Sequence, residues 1–147
     1  MIFCSPLVCD YGNYTNCNSN EYDSDFDFVS VGSIHNLSHD YDFIQSYDED
    51  ELVLKQVTVG LYHALKKSCS HILEYLYKFK YPCLIFHGSM DAITDCEDSR
   101  FLFNNIISKD KEIRILNGLY HKLLDELIKD DIVTEISKWI ENRIQLI

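Results

Sequence analysis

The sequence predicts an α/β fold in which helices cover a parallel β-sheet. Two segments, 83–86 and 112–116, have the length and composition of strands, and a segment with helically spaced apolar residues follows each of them. This strand–helix–strand–helix order implies parallel strands joined by right-handed crossovers. Residues 83–86 are all apolar, which is typical of a strand buried on both faces of its sheet.

The N-terminal third divides into a short strand and a long polar segment. Residues 2–8 are mainly apolar and are followed by turn-forming residues at 10–13, which predicts a buried strand that enters a loop. Residues 10–47 are rich in Asn, Asp, Ser and Tyr, and they carry too few aliphatic side chains to offset the entropy lost on ordering. We therefore expect a core strand at 1–9 and an acidic, low-complexity insertion at 10–47 that is the least ordered part of the chain.

Helical spacing begins near Asp48. The four acids at 48–51 suit the start of a helix, because the helix macrodipole favours negative charge there. Apolar residues then recur at helical spacing over 52–64, and a second helix is predicted at 70–77. We assign residues 48–80 to cap helices.

The pair Tyr81-Pro82 ends this helical region, and residues 81–147 form the predicted α/β core. Its elements are, in order, the strand at 83–86, a helix at about 97–107, the strand at 112–116 and a last helix from about Asp130. The last helix presents one apolar stripe, formed by Ile132, Val133, Ile136, Trp139, Ile140 and Ile144.

The net charge of −11 is concentrated towards the N-terminus. Residues 1–54 hold 11 of the 24 acids and none of the 13 basic residues. Binding of a phosphate backbone needs a clustered cationic face, so this distribution argues against nucleic acid as a partner. No apolar run reaches the roughly 18 residues of a membrane-spanning helix, and the first residues lack the features of a signal peptide. We therefore expect no transmembrane segment and a cytoplasmic location.

The six cysteines include no C-x-x-C pair, and without a secretory signal we expect reduced thiols. A zinc site built from Cys4, Cys9 and Cys17 is an alternative, although this spacing matches no established zinc pattern. Cys96 is an alternative nucleophile, because it lies near a predicted helix start, where the pKa of a thiol is lowered.

Two titratable residues follow the two clearest strands, Asp91 after 83–86 and His121 after 112–116. Sites in open α/β sheets form at the carboxyl ends of the strands, so adjacent parallel strands would bring these two side chains together, within ~3.2 Å. An Asp that accepts the His Nδ1–H leaves Nε2 free to act as a base. The alternative is a loop Asp and a surface His that have no joint role.

Four short motifs resemble those of one enzyme family. They are Ser5-Pro6 in the first strand, Pro82 with His87-Gly88-x-x-Asp91 around the second, Gly118-x-x-His121 after the third, and Ile136-x-x-Trp139 in the last helix. Together they are similar to α/β-hydrolases of the monoacylglycerol lipase and lysophospholipase group, of the serine aminopeptidase S33 type. The resemblance covers residues 1–9 and about 48–147. It implies a partial α/β-hydrolase fold, with the last parallel strands, their flanking helices and a cap or insertion region.

The resemblance implies that Asp91 is the acid and His121 the base of a catalytic triad, with no metal or cofactor. The family's nucleophile lies on a Gly-x-Ser-x-Gly elbow before the strand at 2–8. No such pentapeptide occurs in the 147 residues. Ser5 and Ser89 occupy other positions of the family's pattern, so we interpret both as structural.

We therefore expect the C-terminal portion of a serine hydrolase that acts on lipid esters or other small esters once an N-terminal half completes it. The nucleophile is expected roughly 20–30 residues upstream of Met1, and the chain alone is expected to be inactive. The alternative is a non-catalytic pseudoenzyme or binding module whose acidic segment contacts a basic partner.

The sequence leaves two interpretations open for several apolar side chains and gives one expectation for each remaining histidine. Four apolar residues of the cap region either line an acyl-chain pocket or pack on the sheet: Val57, Leu61, Leu65 and Leu76. His87 is expected to support the end of its strand. The remaining histidines are expected to be solvated or internally satisfied: His35, His39, His63 and His71.

Overall fold

The structure, a computed structural model, describes residues 1–6, 26–30 and 34–144. The strands are β1 (Ile2–Cys4), β2 (Phe28–Ser30), β3 (Gln56–Thr58), β4 (Cys83–Gly88) and β5 (Lys111–Leu116). The helices are α1 (Tyr41–Glu49), α2 (Val59–Tyr75), α3 (Cys96–Asn105) and α4 (Lys129–Ile144). Short 3₁₀ turns lie at Ile34–Asn36, Leu76–Lys78 and Leu123–Asp125.

The main sheet is parallel and has the order β1-β4-β5. Its central strand, β4, is buried along its whole length because it has a neighbour on each side and apolar layers above and below. Ile85 pairs with Ile113 on β5, and Gly88 pairs with Leu116 at the ends of the two strands. The predicted α/β fold with parallel strands and flanking helices is confirmed.

Side chains of β4 alternate between two core layers, as the period of a strand requires. Cys83 and Ile85 face one layer, completed by α3 and the turn before β4, with Leu76, Leu102 and Ile106. Leu84 and Phe86 face the other, completed by α4 and the turn before it, with Leu123, Ile132 and Trp139. Helix α3 therefore covers one face of the sheet, and helix α4 covers the other.

The first helix lies earlier than the sequence predicts. Helix α1 begins after Asp40, whose side chain accepts the N–H of Phe43 at 3.1 Å, and it ends at Glu49. The prediction of a helix start at Asp48 is therefore wrong. The acids at 48–51 instead span the end of α1. Asp48 and Glu49 are its last two residues, and Asp48 forms an ion pair with Lys55 at 3.2 Å.

Part of the predicted insertion at 10–47 belongs to the fold. Leu37 and Ile44 are buried in a third apolar cluster with Ile93, a residue of the loop that follows β4. These few aliphatic side chains are enough to hold the segment from Ile34 onwards against the core, so the expectation of low order is wrong for residues 34–47. Residues 7–25 and 31–33 lie outside the described chain.

One long helix replaces the two that the sequence predicts between 52 and 77. Residues 56–58 form β3, which pairs antiparallel with β2, and α2 then runs unbroken from Val59. Thr58 caps α2 by accepting the N–H of Leu61 at 3.2 Å. A strand created by pairing with a distant segment leaves little local signal, which explains the error.

Of the side chains with two interpretations, Leu76 packs on the sheet, whereas Leu61 on α2 is 45% exposed. No helix in the described part of the chain is long and apolar enough to cross a bilayer. Cys4, Cys83 and Cys96 are free thiols. The alternative zinc site depends on Cys9 and Cys17, which lie outside the described residues.

We predict that the side chains of β4, which lie in the two core layers, are sensitive to truncation. Leu84→Ala removes a fully buried side chain and should lower the free energy of unfolding by about 2–5 kcal/mol. Leu52→Ala makes the same change at a side chain that is 89% exposed, and it should change this free energy by less than about 0.5 kcal/mol. Equilibrium urea denaturation measures both, and equal losses would contradict the assigned core.

Candidate active site

The loops that follow β4 and β5 meet at one edge of the sheet. Gly88 ends β4 opposite Leu116, so the two chains leave the sheet side by side. A Cβ atom on Gly88 would overlap the main-chain carbonyl oxygens of Leu119 and Tyr120. Only glycine permits this close approach of two main chains.

Hydrogen bonds connect the same two loops. The N–H of Ser89 donates to the carbonyl of Leu116 at 2.9 Å, and the N–H of Met90 donates to that of Leu119 at 3.0 Å. The hydroxyl of Ser89 accepts the N–H of Gly118 at 2.9 Å. Ser89 thus links the loops, in keeping with a structural interpretation.

Asp91 and His121 lie in these loops and touch each other. The distance from Asp91 Oδ2 to His121 Nδ1 is 2.8 Å, within the distance that the sequence predicts. The Asp91 side chain is completely buried, whereas 23% of the His121 side chain is exposed. With its proton on Nδ1, a neutral His121 carries its lone pair on Nε2, the atom that can act as a base.

The Asp91 carboxylate accepts hydrogen bonds on both oxygens. Oδ1 accepts the N–H groups of Ile93 and Thr94 at 2.8 and 3.0 Å. Oδ2 accepts the Thr94 hydroxyl at 3.0 Å and faces His87 Nε2 at 3.0 Å, in addition to His121. Burial raises the pKa of the Asp91 carboxyl, but the hydrogen bonds from His121 and His87, the charge of His121 and the Thr94 N–H together hold this pKa well below its usual range.

His87 is a buried partner of Asp91. Its Nε2 lies 3.0 Å from Asp91 Oδ2 and 3.0 Å from the carbonyl oxygen of Thr94. Because both neighbours only accept, we assign the proton to Nε2, and the hydroxyl of Ser99 then donates to Nδ1 at 2.6 Å. The sequence predicts that His87 supports the end of its strand, but it does not predict the contact with Asp91. The one indication of this contact in the sequence is the short spacing between the two residues.

Ser5 holds the His121 loop from the other side. The Ser5 hydroxyl donates to the main-chain carbonyl of His121 at 3.0 Å, and its N–H donates to the carbonyl of Phe86 at 2.9 Å. Ser5 has a φ of +46°, in the left-handed region that few non-glycine residues adopt. This turn ends β1 after Cys4, earlier than the strand predicted at 2–8.

Cys96 is a poor candidate nucleophile. Burial and the negative charges of Asp95 and Glu97 raise the pKa of its thiol, and Arg100 lowers it only in part. The sequence places Cys96 correctly near a helix start, but Asp95 caps that helix and Glu97 lies in its first turn. The two carboxylates oppose the effect of the helix dipole, so the expected lowering of the pKa is wrong.

A cavity of about 280 Å³ opens beside His121, lined by Cys4, His121, Lys122, Leu123, Leu124 and Asp125. It lies at the end of β1, the strand that forms one edge of the main sheet among the described residues. In the same part of the chain, no group of three or more His, Cys, Asp or Glu side chains is placed to hold a metal ion.

Comparisons with known proteins point to one family. The model of the family described as serine aminopeptidase, S33, matches residues 28–128. The chain is 29% identical over 122 residues to the human monoglyceride lipase, covering 78% of this chain and 40% of that protein. It is 26% identical over 110 residues to an uncharacterised abhydrolase domain-containing protein of Dictyostelium discoideum, covering 74% of this chain and 12% of that one.

A crystal structure of a monoacylglycerol lipase from Paleococcus ferrophilus has the same fold. The two superpose with a TM-score of 0.82 at 23% identity, covering 94% of this chain and 56% of that one. The chain therefore spans little more than half of that solved enzyme and two fifths or less of the two curated relatives.

We predict that the two loop glycines differ in their tolerance of a side chain. Gly88→Ala forces a methyl group into two main-chain carbonyls, so it should lower the free energy of unfolding by about 1–3 kcal/mol or more. Gly118→Ala meets no atom within 4 Å but keeps a φ of +80°, so it should lose only about 1 kcal/mol. Urea denaturation of both variants checks the order, and a larger loss for Gly118→Ala would contradict it.

We predict that Asp91 makes stability depend on acid pH. Its folded-state pKa is depressed, so the stability that it contributes is present above the unfolded-state pKa near 4 and is lost as pH falls. Asp91→Asn cannot ionise, so the difference in unfolding free energy between wild type and variant should shrink from pH 6 to about pH 3. Asp42→Asn, at an exposed position on α1, serves as the control. A constant difference for Asp91→Asn would refute this.

Proposed function

The chain belongs to the serine aminopeptidase S33 family of α/β-hydrolases, and on this basis we propose that it is the C-terminal part of a lipase- or esterase-like serine hydrolase. In this proposal Asp91 is the acid and His121 the base of a catalytic triad. The contact of 2.8 Å between them, at the carboxyl ends of adjacent parallel strands, carries the proposal.

The proposed chemistry is acyl transfer from an ester. A serine hydroxyl attacks the ester carbonyl while His121 Nε2 takes its proton, and the imidazolium then protonates the leaving alcohol. In the second half of the reaction, water attacks the acyl-enzyme while His121 Nε2 takes its proton. The imidazolium then protonates the serine oxygen as the acyl–serine bond breaks and the carboxylic acid leaves. The Asp91 carboxylate holds the imidazole in the productive tautomer and stabilises its positive charge.

The serine and the oxyanion donors come, in this proposal, from a segment outside these 147 residues. The sequence contains no Gly-x-Ser-x-Gly elbow. Among the described residues β1 is an edge strand, and the cavity beside His121 lies at its end. Both observations support a place for that elbow next to β1.

We propose a lipid monoester as the substrate class and residues 48–80 as the cap over it. The names of the human and Paleococcus ferrophilus proteins support the substrate class. Helix α2 supports the cap, because its apolar residues Leu61, Ile72 and Leu73 are exposed to solvent. A non-catalytic binding module is the alternative, favoured by the missing elbow.

We predict that the purified 147-residue chain does not hydrolyse a short-chain aryl ester such as p-nitrophenyl butyrate. Loss of the nucleophile and of the oxyanion donors removes most of the rate enhancement of a triad enzyme. The measurement is release of nitrophenolate above the rate in buffer. Turnover that disappears in His121→Ala would show that this chain carries its own nucleophile.

A chimera tests the proposed roles. The part of the Paleococcus ferrophilus lipase that precedes its match would be fused ahead of residue 1, and a cooperative thermal transition would establish that the product is folded. Ester hydrolysis is expected. His121→Ala should reduce kcat by about 10⁶-fold and Asp91→Asn by about 10⁴-fold.

His71→Ala, at an exposed histidine on α2, is the matched control and should retain the activity. A folded chimera that is inactive, or whose activity survives His121→Ala, would favour the binding-module alternative.

A further inference from the structure

The segment that precedes α1 holds the loop that carries His121. The carbonyl of Leu37 accepts the N–H of Lys122 at 2.7 Å, and the hydroxyl of Ser38 donates to the carbonyl of Asp125 at 2.7 Å. Ser38 also accepts the N–H of Asp40, the cap of α1, at 2.9 Å. We call this arrangement of residues 37–40 against residues 120–126 the clasp.

Glu126 lies at the centre of the clasp and is completely buried. Its Oε1 accepts the N–H of Tyr120 at 2.9 Å, and its Oε2 accepts the N–H of His39 at 3.0 Å. The His39 ring adds a contact of 3.0 Å from Nδ1 to Oε1 and stacks on the Tyr120 ring, with 4.0 Å between centroids. Burial raises the pKa of Glu126, but the hydrogen bonds from Tyr120 and His39 hold it below its usual value.

These contacts fix the main chain on both sides of His121. The N–H of Tyr120 is held by Glu126, the carbonyl of His121 by Ser5, and the N–H of Lys122 by Leu37. Three successive residues are thus each tied to a different partner. The position of the imidazole then depends on those partners as well as on Asp91.

The clasp segment also packs against the Asp91 loop. Leu37 and Ile44 share an apolar cluster with Ile93, two residues after Asp91, and the N–H of Ile93 donates to the Asp91 carboxylate. One segment therefore contacts the loops of both members of the pair.

We propose that Glu126 is a positioning residue for His121, acting through the Tyr120 N–H on one side and through His39 on the other. This inference deepens the proposed function and rests on it. In this proposal Glu126 acts on the reaction only through His121. It holds the main chain from which His121 projects, whereas Asp91 orients the imidazole ring.

The geometry requires a carboxylate at this position. Both oxygens of Glu126 already accept a main-chain N–H. In Glu126→Gln, either orientation of the amide turns its NH₂ group towards one of these N–H donors, so one buried hydrogen bond is lost without a change of size.

The test is proton exchange measured by NMR on the full chain, and it needs no catalytic turnover. The probe is the His121 Nδ1 proton, which is hydrogen bonded to the buried Asp91 carboxylate, so this hydrogen bond must break before the proton exchanges with water. In Glu126→Gln this exchange should be faster by about tenfold or more, while the amides of Ile85 and Phe86 in β4 should change by less than about twofold.

Two further variants make the test decisive. Ser38→Ala removes one hydroxyl from the opposite side of the clasp and should also accelerate exchange at His121, so it decides the question if Glu126→Gln fails to fold. Asp125→Asn removes a neighbouring carboxylate but leaves its main-chain carbonyl in the clasp, and it should leave the exchange unchanged.

Unchanged exchange at His121 in folded Glu126→Gln and Ser38→Ala would overturn the proposal. So would an acceleration that the amides of β4 share equally, because the effect would then be global stability. An inactive chimera with accelerated exchange would refute the proposed function but not the clasp.

Discussion

A negative charge held inside the protein is the constraint on which this site depends. Asp91 is completely buried, and an ion removed from water is destabilising by several kcal/mol unless its partners replace the lost hydration. The loop after β4 meets this requirement by folding back, so that the N–H groups of Ile93 and Thr94 reach one oxygen. The other oxygen is then left to two imidazoles and a hydroxyl, which fixes His87 and His121 relative to each other.

The C-terminal half was predictable because its signals are local. The apolar run of β4 reflects its place at the centre of the sheet, and the elements β5, α3 and α4 lie within about two residues of their predicted bounds. The N-terminal half was not. Four acids at 48–51 were a weaker indication of a helix start than the single cap Asp40, whose side chain bonds to the main chain.

The residues of the site likewise divide into those with a local sequence signal and those that depend on contacts between distant segments. Asp91 and His121 were found because each follows a recognisable strand, and parallel pairing then brings them together. Their supporting residues were missed or only partly described. His39 and Glu126 meet through two loops with no common sequence signal, and Ser5 reaches His121 by means of an unusual main-chain turn. A pattern in one segment cannot report which distant segment will lie against it.

The number of residues between the two partners of each contact indicates the order in which the chain folds. Asp91 and His121 are separated by 30 residues, whereas His39 and Glu126 are separated by 87, and Ser5 and His121 by 116. Closing a longer loop loses more chain entropy, and distant pairings slow folding. The unit from β4 to α4 has the shorter connections and is favoured to assemble first. During synthesis, residues 1–47 emerge before their partners around residues 121–126 are made. The chain can therefore bring Asp91 and His121 together early and fix their geometry only after the N-terminal contacts have formed.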